Sequence, residues 1–293
     1  MPKLLVTGAS GHLGQRVLAQ LIDTRGIAPG DIVAGSRDTA RLAPWAARGV
    51  ETRAVDFEDP GLAAALAGIE RMLLISSDAI DRPGRRLGQH RAAVAAAKQA
   101  GVRHLVYTSM PSPDDSLIPF APDHLGTEQA IQASGLGYTI LRNSWYMENL
   151  LMSLPQVLAS GQWFTATGDG RVGQVAREDC ARAAAAALAA ATTESRTYTL
   201  TGPQALTVAD IAAVASEVLG RPITVVPVTD EQLLQGMIAG GVPEFLAPLY
   251  AAFDRNTREG KVDIVTRDLE TLTGVAPTPI RAFFEANRQA LAA

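Results

Sequence analysis

Lysine is almost missing from this chain: Lys3, Lys98 and Lys261 are the only three in 293 residues, and arginine supplies the remaining basic charge. Cysteine is scarcer, with Cys180 alone, so no intramolecular disulfide can form and a reducing compartment is the expected home. Cys180 follows Arg177-Glu178-Asp179 at the head of an Ala-rich stretch with no adjacent base, the setting of a packing residue rather than a nucleophile. There is no long hydrophobic run. The longest apolar stretch, Ala183 to Ala191, is too short and too rich in alanine to cross a bilayer. Like charges nowhere form a tail, and a net charge of −4 leaves no electrostatic footprint for nucleic acid. Met1-Pro2-Lys3-Leu4-Leu5-Val6 enters a strand at once and leaves no room for a signal peptide, so a soluble, cytoplasmic chain is expected.

What is present is alternation. Apolar, β-rich runs at Lys3–Gly8, Asp31–Arg37, Glu51–Phe57, Arg71–Ser77, His104–Met110 and Tyr138–Asn143 alternate with helical patterns, among them His12–Thr24, Leu87–Ala100 and Asp123–Ser134. Unbroken runs such as Met72-Leu73-Leu74-Ile75 require burial on both faces, as in a parallel sheet. The fold class that follows is α/β: a Rossmann-type, doubly wound parallel sheet with a smaller, mainly helical C-terminal lobe. Residues 1–150 form the sheet domain, completed by parts of 175–202, and 151–293 an interleaved lobe. In that lobe Thr207 caps a helix over Val208–Leu219.

Gly8-Ala9-Ser10-Gly11-His12-Leu13-Gly14 joins the first strand to the first helix. Its glycines permit a tight turn, a close backbone approach to pyrophosphate and close helix–strand packing, while helix N–H groups face the phosphate charge. Gly8, Ser10, Gly11, His12 and Leu13 are therefore expected to bind a dinucleotide. Arg37 stands at the end of the second strand, where a carboxylate would choose NAD and a guanidinium accommodates the 2′-phosphate of NADP(H). Asp56 and Phe57, closing strand three, are placed for the adenine. Ser76 and Ser77, closing strand four, are placed for the nicotinamide-side phosphate and ribose.

A tyrosine–lysine pair four residues apart is absent. Positions four beyond Tyr107, Tyr138, Tyr146, Tyr198 and Tyr250 hold Pro111, Arg142, Leu150, Gly202 and Asp254. The tyrosinate route to alcohols or sugar epimers is thus disfavoured. His124 and Glu128, four apart on one helix face, are either a catalytic imidazole with its orienting carboxylate or a modest surface pair. No third ligand turns them into a metal site. Leu141-Arg142-Asn143-Ser144-Trp145-Tyr146-Met147-Glu148-Asn149 brings aromatic faces and hydrogen-bonding groups to a strand end, and Tyr146 there either donates a proton or packs. A helix over Pro243–Glu259, with Phe245, Leu246, Leu249, Tyr250 and Phe253, either caps a cleft, packs in the core or offers a partner surface.

With these residues in view, the chain resembles the NmrA-like atypical short-chain dehydrogenases, above all the bacterial NADPH:quinone oxidoreductase and triphenylmethane reductase subgroup. The resemblance rests on the glycine loop, Leu73-Leu74-Ile75-Ser76-Ser77, Gln89-His90-Arg91, Leu141 to Tyr146, Gly168-Asp169-Gly170 and Tyr198 to Pro203. It implies NADP(H) contacts from the glycine loop, Arg37, Ser76, Ser77 and the segment Asn143, Trp145, Tyr146 and Glu148. It also implies a substrate cleft between the sheet and the C-terminal lobe. The expected activity is NADPH-dependent hydride transfer to a quinone or similar flat acceptor. A dinucleotide sensor without turnover is the alternative, and a homodimer is allowed.

Overall fold

The computed structural model describes residues 3–292; Met1, Pro2 and Ala293, at the outer ends of the two expected domains, lie outside them. The strands are β1 (Lys3–Val6), β2 (Ile32–Ser36), β3 (Glu51–Ala54), β4 (Ile69–Leu74), β5 (His104–Ser109), β6 (Gly137–Asn143), β7 (Gln162–Thr165), β8 (Arg196–Leu200) and β9 (Thr224–Pro227). All but β7 and β9 form one parallel sheet in the order β3-β2-β1-β4-β5-β6-β8. The order reverses between β1 and β4, which opens a crevice beyond their carboxyl ends.

Period two decides the layers. Along β4, Leu73 joins one core while Met72 and Leu74 join the other; along β1, Leu4 and Val6 oppose Leu5 in the same way. The first core is covered by α1 (His12–Ala19) and, further along the chain, by the alanine-rich helix over Arg177–Ala189. The helices α2 (Ala43–Ala46), α3 (Leu62–Ala65), α4 (Arg85–Gln99) and α5 (Ala121–Ala133) follow in order, with α3, α4 and α5 adding residues to the second core. The expected helix His12–Thr24 is α1 continued by a π-helical turn over Gln20–Thr24.

Periodicity assigns no element to residues 150–165, where the chain forms α6 (Leu150–Ser160) and β7. Pro155 sits inside α6 and removes one backbone donor, yet Leu150, Leu154 and Leu158 still bury one stripe. β7 pairs only with β9, sixty residues on, so its signal is not local. Next comes α7 (Arg177–Ala189), whose alanines pack on α1. Carbonyls at its C-terminus and just beyond it are taken up by Arg71 of β4, which donates to Ala187, Leu188 and Thr192. The chain goes on with α8 (Val208–Leu219), α9 (Asp230–Ala239), α10 (Ala247–Arg258), α11 (Asp268–Thr273), α12 (Ile280–Ala286) and α13 (Arg288–Ala292), of which α11 sends Leu269 into the first core of the sheet. Thr207 caps α8 in a reciprocal box with Asp210, as its spacing predicts. Among the described residues no helix is long and apolar enough to cross a membrane.

Candidate active site

The glycine loop leaves β1 at the crevice. Gly8 takes φ +59°, and a Cβ on Gly14 would stand 2.4 Å from the Gly8 carbonyl oxygen, so both positions demand glycine. Gly11 and His12 are exposed, Leu13 is buried, and no side chain caps α1 at Gly11. The first N–H groups of α1 are therefore free to meet an anion. Next to them Ser10 Oγ lies 2.9 Å from Ser36 Oγ, and the Arg41 guanidinium reaches the Ser10 carbonyl at 3.5 Å. Arg37 is solvent-facing, 3.8 Å from the Asp78 carboxylate on the other side of the loop. A cradle closed to side chains, free helix N–H groups and two nearby guanidiniums fit a phosphorylated dinucleotide. Asp56 is exposed and accepts the Glu58 N–H; Phe57 is half-buried against the second core.

Beyond β4 the chain is held by side chains from three other elements. The N–H of Ile75 donates to Thr7 Oγ1, that of Ser76 to Thr108 Oγ1, and that of Ser77 to His90 Nε2, at 2.9–3.1 Å. Ser77 Oγ donates to Gln89 Oε1 at 2.7 Å. Because Ser77 N–H can only donate, His90 carries its proton on Nδ1, which donates to Thr127 Oγ1 at 2.9 Å. Burial and the Arg86 charge push the His90 pKa down to about 3, so the imidazole stays neutral. Thr7, Thr108 and His90 as loop anchors carry no local sequence signal, apart from the Gln89-His90 dipeptide.

His124 and Glu128 are both buried but do not pair with each other. Glu128 receives Ser109 Oγ and a two-point contact from Arg142. His124 lies between Tyr107 Oη (2.8 Å from Nδ1) and the Arg86 guanidinium (3.3 Å from Nε2). Arginine can only donate, so Nε2 accepts and Nδ1–H donates to Tyr107. Burial, then Arg86 and His90, depress the His124 pKa to about 3. The surface-pair alternative fails because Thr127, Glu128 and Ile131 turn this helix face into the interior.

At the end of β6, Asn143 Nδ2 donates to Tyr146 Oη at 3.0 Å, and Asn143 Oδ1 is a buried acceptor with no donor. Trp145 Nε1 is likewise a buried donor without an acceptor. The Tyr146 ring lies under the Arg177 guanidinium, and burial raises the phenol well above its ordinary pKa. Glu148 accepts the Arg177 N–H with both oxygens and so caps α7.

Facing these strand ends, α10 closes a small apolar cluster with the segment after β5. Phe253 packs edge-on against Trp145 at 5.0 Å and against Phe120 at 6.4 Å, with Tyr250 stacked alongside. The wall is fixed to the loop after β5: buried Asn256 accepts from Leu117 N–H and Ser116 Oγ, and Lys261 pairs with Asp115. Phe245, just before α10, stays 80% exposed. Among the described residues no cluster of three potential metal ligands occurs. The arrangement offers a glycine-loop cradle suited to phosphate at the strand ends, with a packed aromatic cluster beyond β5 and β6.

Residues 8–191 match the family described as NAD(P)H-binding. The chain is 35% identical over 278 residues to quinone oxidoreductase 2 of Escherichia coli (strain K12), covering 94% of this chain and 96% of that protein. It is 33% identical to the NAD(P)H azoreductase of Xenophilus azovorans, over 96% of each. The structure of Citrobacter sp. triphenylmethane reductase complexed with NADP(H) superimposes with a TM-score of 0.91 at 34% identity, over 98% of this chain and 100% of that one.

Proposed function

This chain belongs to the NAD(P)H-binding family, in its NmrA-like branch, and on that premise we propose that it is an NADPH-dependent reductase of quinones and similar flat conjugated acceptors. The observation that carries the reading is the aromatic wall of Phe120, Phe253 and Trp145, set beyond β5 and β6 at the same end of the sheet as a glycine loop shaped for phosphate. Arg37, with Ser36 beside it, is the group that distinguishes a 2′-phosphate from a 2′-hydroxyl. Ser76, Ser77 and Asn143 orient the nicotinamide end, and the aromatic wall receives the acceptor and keeps water out. When bound, the reduced dinucleotide supplies the hydride.

The chain's own acids are poorly placed to supply a proton. Tyr146 is held protonated by burial, and its oxygen accepts from Asn143. His124 stays neutral between Tyr107 and Arg86, where it positions both. A reduced quinone is a stabilised anion that solvent can protonate, so the missing tyrosine–lysine pair is no obstacle. A reducing, cytoplasmic setting belongs to the same reading, supported by a lone buried cysteine. A homodimer is compatible with the same reading.

Titration with NADPH by fluorescence, followed by benzoquinone and naphthoquinone addition in the same cuvette, tests the reading. NADPH oxidation is expected, with NADH clearly poorer. Tight binding without turnover across the panel would place the protein among dinucleotide sensors instead.

A further inference from the structure

Arg86, in the first turn of α4, is only 8% exposed, yet no carboxylate pairs with it among the described residues. Arg71, the other buried arginine among the described residues, is compensated by three carbonyls, and the half-buried Arg142 and Arg182 pair with Glu128 and Asp179. Arg86 has one hydrogen-bond partner, the neutral His124, and lies 4.8 Å over the Phe120 ring. Its Nε is buried without an acceptor. Asp78 and Asp123 lie near enough to act on it through space, but neither forms an ion pair with it. A cation out of water without a counter-charge is expensive for the fold, and it becomes favourable when an anion arrives.

Its position indicates which anion. Arg86 stands one helical turn ahead of His90, which holds the Ser77 N–H, so it lies further out beyond the strand ends. Phe120, the ring it covers, belongs to the aromatic wall through Phe253. We infer that Arg86 is the anion-holding group of the acceptor cleft, its guanidinium donating to the acceptor oxygen that turns negative as hydride arrives.

This rests on the quinone-reductase reading. In the step, the quinone takes two electrons and one hydrogen as hydride and is reduced, while the dinucleotide is oxidised. The dinucleotide C–H bond breaks and its hydrogen bonds to one quinone oxygen, the electron pair passes through the ring to leave the other oxygen as C–O⁻ beside Arg86, and a solvent proton then completes the hydroquinone. A fixed donor at a developing oxyanion in a dry site acts on kcat more than on binding. The same charge disfavours acceptors that are already cationic, such as triarylmethane dyes, whose reduction leaves a neutral product.

The test compares wild-type protein with Arg86→Met and Arg86→Lys. Menadione turnover in the Met variant is expected to fall about 100-fold or more in kcat, as for loss of one oxyanion donor. NADPH affinity should be unchanged, malachite green reduction should not fall, and the Lys variant should recover part of the quinone rate. Thermal stability of the Met variant should hold or rise, because an uncompensated charge has been removed. A readout without turnover uses 4-nitrophenol with the NADP⁺-loaded protein: the wild type should bind it as the yellow phenolate with a lowered ionisation midpoint, and the Met variant should not. Menadione turnover in the Met variant within threefold of wild type, or an unshifted midpoint in wild type, overturns the inference. If the Met variant does not fold, the wild-type midpoint and the Lys variant decide. Wild-type protein that shifts the midpoint but reduces no quinone would sink the parent reading while leaving the anion subsite standing.

Discussion

At the scale of single residues, Arg37 and Asp78 face each other across the glycine loop, and both are largely exposed. An exposed pair at 3.8 Å contributes little to stability. It nevertheless competes with a 2′-phosphate for the same guanidinium. Arg37→Ala should therefore raise the Kd for NADPH at least tenfold and leave that for NADH within about twofold, and Asp78→Asn should tighten NADPH roughly twofold. Equal losses for both nucleotides in the Arg37 variant would remove its role in discrimination. Fluorescence titration reads both.

At the scale of elements, the end of β4 depends on neighbours. Thr108→Val keeps the shape of the side chain but leaves the Ser76 N–H without its acceptor, which costs about 1–3 kcal/mol. Urea unfolding should show that loss, and dinucleotide affinity should drop with it because the same loop faces the crevice. Arg71 is the corresponding device for α7. Arg71→Met leaves three carbonyls near the helix C-terminus without donors and should lower stability by on the order of 3 kcal/mol, with kcat little changed. A Tm equal to wild type in that variant would mean water replaces the arginine without loss.

At the scale of the whole molecule, three histidines are buried in neutral form: His90 and His124 with pKa depressed to about 3, His104 to about 4. Unfolded, each titrates near 6.5. The unfolded chain then binds protons first as pH falls, so the stability these groups contribute is complete above pH 6.5 and is lost between there and about pH 3–4. With three such groups the slope approaches about 4 kcal/mol per pH unit near pH 5. Denaturant midpoints should be flat from pH 8 to 7 and fall steeply from 6 to 5. A flat profile down to pH 5 would show that these imidazoles are hydrated in solution.

What is written locally in the chain was legible in it. The alternation of apolar runs fixed the strands within two or three residues, since burial on both faces needs nothing but sequence. The glycine spacing placed the phosphate loop, because φ +59° at Gly8 and the close approach at Gly14 exclude other residues whatever the surroundings. Tertiary structure alone decided partnerships between distant segments. Glu128 turned to Arg142 and not to His124, Glu148 to the head of α7, and Thr7, Thr108 and His90 to one loop from three elements. A strand as short as β7 exists only because β9 is brought beside it. Such contacts depend on where the sheet delivers each side chain, and a buried charge such as Arg86 shows its lack of a partner only once every neighbour is in place.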